Sequence, residues 1–236
     1  MAGLRGILKD PLLSVVMPVY NERETVEEII GRVLCVPLRI ELIVVDDCST
    51  DGTREVLQRM QEGRGFRLLL QERNQGKGAA LRRGFQEVSG DLVVIQDADL
   101  EYSPEEYPDL IDLICTGRAD VVYGSRFLGR HRVFMFTHYL GNRLLTAITN
   151  VLYNTMLTDM ETCYKVMRTE VLRSMTLESD GFGIEPELTA KIFKRKYRVY
   201  EIPITYDGRG YEEGKKITWR DGVTALWILL KYRLTE

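Results

Sequence analysis

Leu92-Val93-Val94-Ile95-Gln96-Asp97-Ala98-Asp99 is the stretch that decides the fold. Its four leading apolar residues are mostly β-branched and predict a strand buried on both faces of a sheet. Because ligands of open α/β sheets bind outside the carboxyl ends of the strands, Asp97 and Asp99 should lie at a binding edge. Mg²⁺ favours one or two carboxylates together with waters and phosphate oxygens, so the pair is a candidate metal site. A solvated turn carrying two acids is the alternative.

Apolar segments with strand character alternate with helical segments on both sides of this stretch. Further strands are predicted at residues 14–20, 40–45, 66–70 and 119–124. Asn21 is predicted to cap the first helix. The alternation predicts an α/β fold with a mostly parallel central sheet and helices on both faces. Polar residues that follow the strands, such as Asp47 and Ser125, should meet at one edge of the sheet.

The second half of the chain has a different pattern. Helices are predicted over 142–157 and 185–196, an edge strand over 199–204, and a final amphipathic helix over 219–234. The final helix has two interpretations. Leu226, Trp227 and Leu230 either pack on the core or lie at a membrane interface, with Lys231 and Arg233 meeting anionic headgroups.

Composition limits the classes of function. The chain has 236 residues, of which 44% are hydrophobic and 28% charged, so a sizeable core is available. The formal net charge of -3 gives no overall basic field, which excludes broad nucleic-acid binding. The four cysteines have no disulfide or zinc spacing, which is typical of a reducing compartment. No signal peptide or membrane span is recognisable, so we expect a cytoplasmic protein that at most contacts the membrane surface peripherally.

The motifs at the predicted strand ends are suited to a nucleotide. The carboxylates of Asp46 and Asp47 can accept hydrogen bonds from a base edge or from ribose hydroxyls, and Pro18 to Tyr20 can form the facing wall. Neither the G-x-G-x-x-G dinucleotide motif nor the P-loop motif is present. Lys77, in Gly76-Lys77-Gly78, follows the third strand and is better placed near a phosphate or a sugar.

Five motifs together resemble a known family. They are Pro18-Val19-Tyr20-Asn21-Glu22, Val45 to Gly52, Asn74 to Gly78, Asp97-Ala98-Asp99-Leu100 and Gly124-Ser125-Arg126-Phe127. Each motif is weak alone, but their order and spacing resemble the family 2 glycosyltransferases. The resemblance extends from about residue 13 to about residue 216. It is greatest to the dolichyl-phosphate mannose synthase and polyprenyl-phosphate glycosyltransferase branch.

The resemblance implies a GT-A fold in a single domain, 1–236. This domain would have a nucleotide-binding half at about 13–126, an acceptor-side half at about 127–216 and the C-terminal helix at about 217–236. It also implies transfer with inversion from a nucleotide-diphosphate sugar (GDP-mannose or a UDP-sugar) to a polyprenyl phosphate, with Mg²⁺ or Mn²⁺ as cofactor.

The site residues form three overlapping sets. The nucleotide-sugar-binding residues would be Pro18, Tyr20, Glu22, Val45, Asp47, Lys77, Asp97, Ala98, Arg209 and Lys215. The catalytic residues would be Asp97, Asp99, Arg126 and Asp159, and the metal ligands Asp97 and Asp99. Arg126 would approach a phosphate of the donor or acceptor. Asp159 would position the acceptor, and it is the first choice of general base if the acceptor is a hydroxyl.

Two departures leave the sugar open. Glu101 stands where the mannose synthases carry Gln, and residues 182–187 lack an expected lysine. Glu185 and Glu187, near a helix start where carboxylates are favoured anyway, are weaker catalytic candidates. Two alternative functions remain: transfer to a saccharide or other hydroxyl acceptor, and a non-catalytic protein that binds a nucleotide sugar.

Overall fold

A computed structural model describes residues 6–63, 65–132, 135–209 and 219–235. Its seven strands are β1 (Leu12–Val19), β2 (Arg39–Asp46), β3 (Arg67–Leu70), β4 (Leu92–Ile95), β5 (Val121–Ser125), β6 (Lys165–Arg168) and β7 (Val199–Pro203). They form one sheet in the order β3-β2-β1-β4-β6-β5-β7. Only β6 pairs antiparallel with its neighbours β4 and β5, so the predicted mostly parallel sheet is confirmed. β7 is an edge strand, as its proline predicts.

Helices connect these strands. In the described residues they are α1 (Val26–Cys35), α2 (Thr53–Gln61), α3 (Lys77–Phe85), α4 (Tyr107–Cys115), α5 (Phe136–Tyr153), α6 (Thr169–Arg173), α7 (Ile184–Lys194) and α8 (Trp219–Thr235). α3 packs closely on the sheet at Gly84, where a Cβ atom would collide with Val16 and lie 3.2 Å from Val45 Cγ2. α8 packs against both α5 and α7.

The core is built from the central strands. All four residues of β4 are buried, and Val15, Val16, Ile43 and Val44 on β1 and β2 are fully buried. Strands covered on both faces need continuous apolar runs rather than alternation, which is the pattern in the sequence. Each such side chain contributes about 1.5–3 kcal/mol of hydrophobic stabilisation. The polar strand ends are therefore fixed to a rigid layer.

Three local predictions were wrong. Asn21 does not cap α1: it adopts φ 52°, and its Oδ1 accepts a hydrogen bond from Thr50 N at 2.9 Å, tying two loops together. α5 begins at Phe136 rather than Asn142. It also ends before the predicted Leu157, because Asn154 takes a left-handed conformation there.

Candidate active site

The carboxyl ends of β1 and β4 and the turn after β5 open into a cavity of about 970 Å³. Ten of the predicted residues line it: Pro18, Tyr20, Glu22, Asp47, Lys77, Asp97, Ala98, Asp99, Arg126 and Arg209. α5 and α8 supply a more apolar wall on which Leu144, Leu145 and Leu226 lie. One continuous space therefore joins a charged rim to an apolar chamber.

Asp97 is held by a lysine. Lys77 Nζ, at the start of α3, lies 2.8 Å from Asp97 Oδ1 and 3.0 Å from Glu185 Oε1 on α7. Burial lowers the pKa of Lys77, but these two carboxylates outweigh burial and hold it well above the usual value. Lys77 is therefore held in its charged form between the ends of β3 and β4. Neither partner is adjacent to it in sequence.

Asp99 is crowded by like charges. Burial, with Asp97 and Glu101 nearby, raises the pKa of the Asp99 carboxyl to about 8. Arg209 and the Glu101 backbone N–H, which donates to Asp99 Oδ1 at 3.2 Å, act in the opposite direction. Such a carboxylate is poorly stabilised by the chain alone, so it is suited to a cation from outside.

Asp47 organises the loop before α3. Its carboxylate accepts hydrogen bonds from Gln71 Nε2 at 2.6 Å, and from the backbone N–H groups of Gln75 and Gly76, both at 2.8 Å. Gly76 has φ +95°, and a Cβ atom there would lie 2.5 Å from Asp180 O. Asp47 thus fixes the backbone from which Lys77 projects, a role in addition to its predicted contact with the nucleoside.

Glu101 and Arg209 join two parts of the rim. Glu101 accepts hydrogen bonds from Tyr206 Oη and from the Arg209 backbone N–H, both at 2.6 Å. The Arg209 guanidinium donates from Nη1 to Glu22 Oε2 at 3.0 Å. Its Nη2 is buried without a hydrogen-bond partner in the described part of the chain. Arg209 therefore brings an unsatisfied cationic donor to the cavity.

Arg126 and Asp159 form a buried pair. Arg126 donates from Nε and Nη2 to the two carboxylate oxygens of Asp159, each at 2.7 Å, and from its backbone N–H at 3.0 Å. Burial opposes the charge on Arg126, but Asp159 holds its pKa well above the usual value. Asp159 is fully buried and does not line the cavity. This position suits a residue that orients Arg126 better than a general base.

Two other predicted residues, Val45 and Lys215, are not among the described residues that line the cavity. Val45 is fully buried in β2 and does not line the cavity, so its side chain belongs to the core rather than to a nucleoside contact. Lys215 lies outside the described residues. The helix prediction over 219–234 is close to α8, whose Leu229 is buried while Trp227 is 66% exposed. That helix both packs on the core and presents an apolar outer face.

The sequence analysis gave too little weight to two acids that also line the cavity, Glu161 and Glu185. Glu185 reaches Lys77 across the cavity, and Glu161 lines the same space. Glu185 follows Gly183 at a helix start, where acids are common for other reasons, so its position alone did not distinguish it. Glu161 is two residues from Asp159 in the sequence, and this proximity was the available signal for its place in the site.

The sequence is similar to known proteins over most of its length. Residues 14–176, more than half of the chain, match the sequence model of glycosyl transferase family 2. A dolichol-phosphate mannosyltransferase of Pyrococcus furiosus is 33% identical over 216 residues, which is 86% of this chain and 58% of that protein. An undecaprenyl-phosphate 4-deoxy-4-formamido-L-arabinose transferase of Edwardsiella ictaluri is 31% identical over 209 residues, 86% of this chain and 62% of that protein. The chain thus spans about three fifths of the length of these two relatives.

Solved structures share the fold. Glucosyl-3-phosphoglycerate synthase from Mycobacterium tuberculosis, in complex with Mg²⁺ and uridine diphosphate, is 26% identical with a TM-score of 0.73. The match covers 94% of this chain and 79% of that one. Its complex with Mn²⁺, UDP-glucose and phosphoglyceric acid gives a TM-score of 0.74 at 26% identity, over 94% of this chain and 80% of that one. The chain therefore belongs to glycosyl transferase family 2 and has the GT-A fold.

Proposed function

We propose that the protein is an inverting, metal-dependent hexosyltransferase that moves a sugar from a nucleotide-diphosphate sugar to a polyprenyl phosphate. The observation that carries this proposal is the continuity of the cavity, from the Asp97–Asp99 rim to the apolar wall of α5 and α8. A reaction between a charged donor and a lipid acceptor needs both environments in one space. The two curated relatives described above are named for polyprenyl-phosphate acceptors.

The rim is suited to the donor. Pro18 and Tyr20 line the cavity where β1 ends and would contact the nucleoside, with Asp47 beside them. Arg209 Nη2, a buried donor that has no partner among the described residues, would bind a diphosphate oxygen. Lys215 would add a second cation. The nucleoside of the donor can be guanosine or uridine, so the proposed donor is GDP-mannose or a UDP-sugar.

The donor set at the rim fits a divalent cation. Asp99 has a poorly stabilised carboxylate beside Asp97, and both supply the hard oxygen ligands that Mg²⁺ and Mn²⁺ prefer. The described residues contain no group of three or more His, Cys, Asp or Glu side chains that could hold a metal ion. Asp97 and Asp99 would therefore hold the ion together with diphosphate oxygens and water. Mg²⁺ and Mn²⁺ are bound in the glucosyl-3-phosphoglycerate synthase structures.

The second half of the cavity is suited to the acceptor. Leu144, Leu145 and Ile148 of α5 line it together with Val223 and Leu226 of α8. Such a wall can take the first isoprene units of a lipid. The proposed halves remain 13–126 for the donor and 127–216 for the acceptor, with α8 adding to the acceptor wall and Arg209 of the second half adding to the donor rim.

Exposed apolar residues on the same helices support a peripheral membrane contact. Leu140 and Val151 of α5 and Trp227 and Leu234 of α8 are exposed. Exposed apolar residues on neighbouring helices favour an interfacial position, with the protein on the cytoplasmic face. No described helix is both long enough and apolar enough to cross a bilayer.

The chemistry follows from the charges. An acceptor oxygen attacks the anomeric carbon while the nucleotide diphosphate leaves from the opposite face. A bound metal would neutralise the charge that develops on the leaving diphosphate. Arg126, held by Asp159, would orient a phosphate of the donor or acceptor. A phosphate monoester has a second pKa of about 6, so it is already an anionic nucleophile at neutral pH and needs little help from a base.

The test is direct. The protein is incubated with Mn²⁺ and either GDP-mannose or a UDP-hexose, with farnesyl phosphate, undecaprenyl phosphate or free sugars as acceptors. Formation of a glycosyl phospholipid that EDTA abolishes is the expected result. Transfer only to free sugars would support the hydroxyl-acceptor alternative. Donor binding with no transfer to any acceptor would support the non-catalytic alternative.

A further inference from the structure

The loop from Thr158 to Cys163 leads into β6 and is held at almost every position. Thr158 N and Asp159 N donate to the Glu201 carboxylate at 2.7 and 3.1 Å. Further bonds are Met160 N to Thr146 Oγ1 at 3.1 Å, Thr162 Oγ1 to Gly124 O at 2.6 Å, and Cys163 N to Tyr102 Oη at 3.1 Å. These bonds make the loop a rigid support for an acidic side chain that takes no part in them.

That side chain is Glu161. It lines the cavity, and its Oε1 is buried without a hydrogen-bond partner in the described part of the protein. The nearby cations are already engaged. Arg126 donates twice to Asp159, and Lys165 Nζ donates to Thr162 O and to Glu185 Oε2. Leaving a buried carboxyl oxygen unsatisfied costs free energy, so a ligand that reaches the cavity is the natural partner.

Glu161 lies close enough to Arg126 for their charges to interact. Two residues further, Cys163 lines the same space, and Arg126 does so from the turn after β5. The residues proposed for the donor, Asp47 and Arg209, project from other loops: Asp47 accepts a hydrogen bond from Gln75 N, and Arg209 donates from Nη1 to Glu22. A headgroup at the Arg126 side of the chamber would therefore meet the free oxygen of Glu161.

We propose that Glu161 binds the acceptor, as a neutral carboxyl group that donates a hydrogen bond to an oxygen of the acceptor phosphate. This rests on the proposed function, because a carboxylate in the charged form would repel the phosphate. Glu161 is thus a specificity-determining residue that favours a phosphate acceptor at neutral pH and below. No covalent step at Glu161 is involved.

The electrostatic surroundings support the neutral form. Burial raises the pKa of Glu161 to about 7. Lys165 on β6 and Arg126 lower this pKa, while Glu185 on α7 and Asp159 on the same loop raise it. Because the pKa is raised, the donating proton is present below about pH 7 and is lost as the pH rises above it. Between pH 6 and pH 8 the neutral fraction falls about tenfold.

The experiment compares Glu161→Gln and Glu161→Ala with the wild type. The amide of Gln keeps a hydrogen-bond donor at every pH, whereas Ala removes it. We expect Ala to raise the acceptor KM on the order of ten- to a hundredfold, the range for a hydrogen bond to a charged group, with the donor KM unchanged. Glu161→Gln should keep kcat within a few-fold and should remove the rise of the acceptor KM between pH 6 and pH 8. Calorimetric titration of farnesyl phosphate in the absence of donor should give the same order of affinities, with Glu161→Ala binding more weakly than the wild type and Glu161→Gln.

A matched control is available in Glu106. Its Oε2 is also buried with no partner in the part of the chain that the structure describes, and burial raises its pKa. The Glu106 side chain does not line the cavity, and its Oε1 accepts a hydrogen bond from Thr205 N at 2.8 Å. Glu106→Gln should leave the acceptor KM and its pH profile unchanged.

Two results would overturn the inference while the proposed function stands. One is an acceptor KM that is unchanged in Glu161→Ala. The other is a loss of kcat in Glu161→Gln with an unchanged acceptor KM, which would make Glu161 a base. If the wild type transfers no sugar to any polyprenyl phosphate, the proposed function fails instead, and the inference fails with it.

Discussion

Replacing Asp159 with Asn tests the buried pair that presents Arg126 to the cavity. The two side chains are 9% and 0% exposed, and they share two hydrogen bonds of 2.7 Å. Removing one charge leaves the other buried without compensation, which costs about 3–5 kcal/mol. For a chain of this size, 1 kcal/mol shifts Tm by about 2–4 °C, so we expect Asp159→Asn to lower Tm by roughly 6–20 °C.

The assay measures urea and thermal unfolding together with steady-state transfer. The double variant Arg126→Met/Asp159→Leu should recover most of the lost stability, because apolar replacement of a buried ion pair is often neutral. It should remain inactive, because no guanidinium is left to orient a phosphate. A control is Asp120→Asn at the other end of β5. Asp120 pairs with Arg198, which is 34% exposed, so that variant should lose less stability and keep kcat.

Two results would refute this reasoning. An Asp159→Asn variant with wild-type stability would show that the pair is not held as described. A variant with wild-type stability, full donor and acceptor affinity and a lost kcat would restore Asp159 to the role of general base.

Three further predictions address the rim and the outer face. Asp99→Asn should abolish Mn²⁺-dependent turnover and weaken Mn²⁺ binding in the presence of nucleotide, measured by calorimetry; unchanged Mn²⁺ affinity would remove Asp99 as a ligand. Arg209→Ala should weaken nucleotide-diphosphate binding about tenfold or more, since a charge-assisted hydrogen bond is lost; Lys215→Ala tests the second predicted cation in the same titration, and an unaltered Kd would reject either residue. Trp227→Asp should reduce sedimentation with anionic vesicles, with Val151→Asp as a second exposed apolar site, on α5; a wild type that never sediments would refute the membrane contact.

The sheet could be predicted because its strands are apolar runs that end in polar motifs. β1, β2 and β4 were each recognisable from local sequence, and the order of their motifs indicated the rim. Helix limits were harder to predict. The start of α5 lies in a stretch of mixed aromatic, basic and polar residues, and Asn154 terminates the helix by a left-handed conformation that Asn tolerates but does not require.

The contacts within the site could not be read from local sequence. Arg126 and Asp159 are 33 residues apart, and Lys77 reaches Glu185 from a different helix. Such pairs depend on how the helices pack against the sheet. Val45 shows the same limit in another way, because a residue predicted for the site lies in the core. Since β2 is buried on both faces, alternation could not reveal which side chains face the cavity and which belong to the core.

The balance of charge in the cavity connects the proposed metal site with the proposed acceptor site. Among the described residues, eight carboxylate side chains but only three from Lys or Arg line it. Lys77, Arg126 and Arg209 each contact a carboxylate already. An incoming diphosphate and an anionic acceptor would therefore add negative charge to a space that has an excess of it. A divalent cation at Asp97 and Asp99 offsets the first addition, and a neutral Glu161 reduces the cost of the second. Both follow from the same physical requirement, that charges brought together out of water must be compensated.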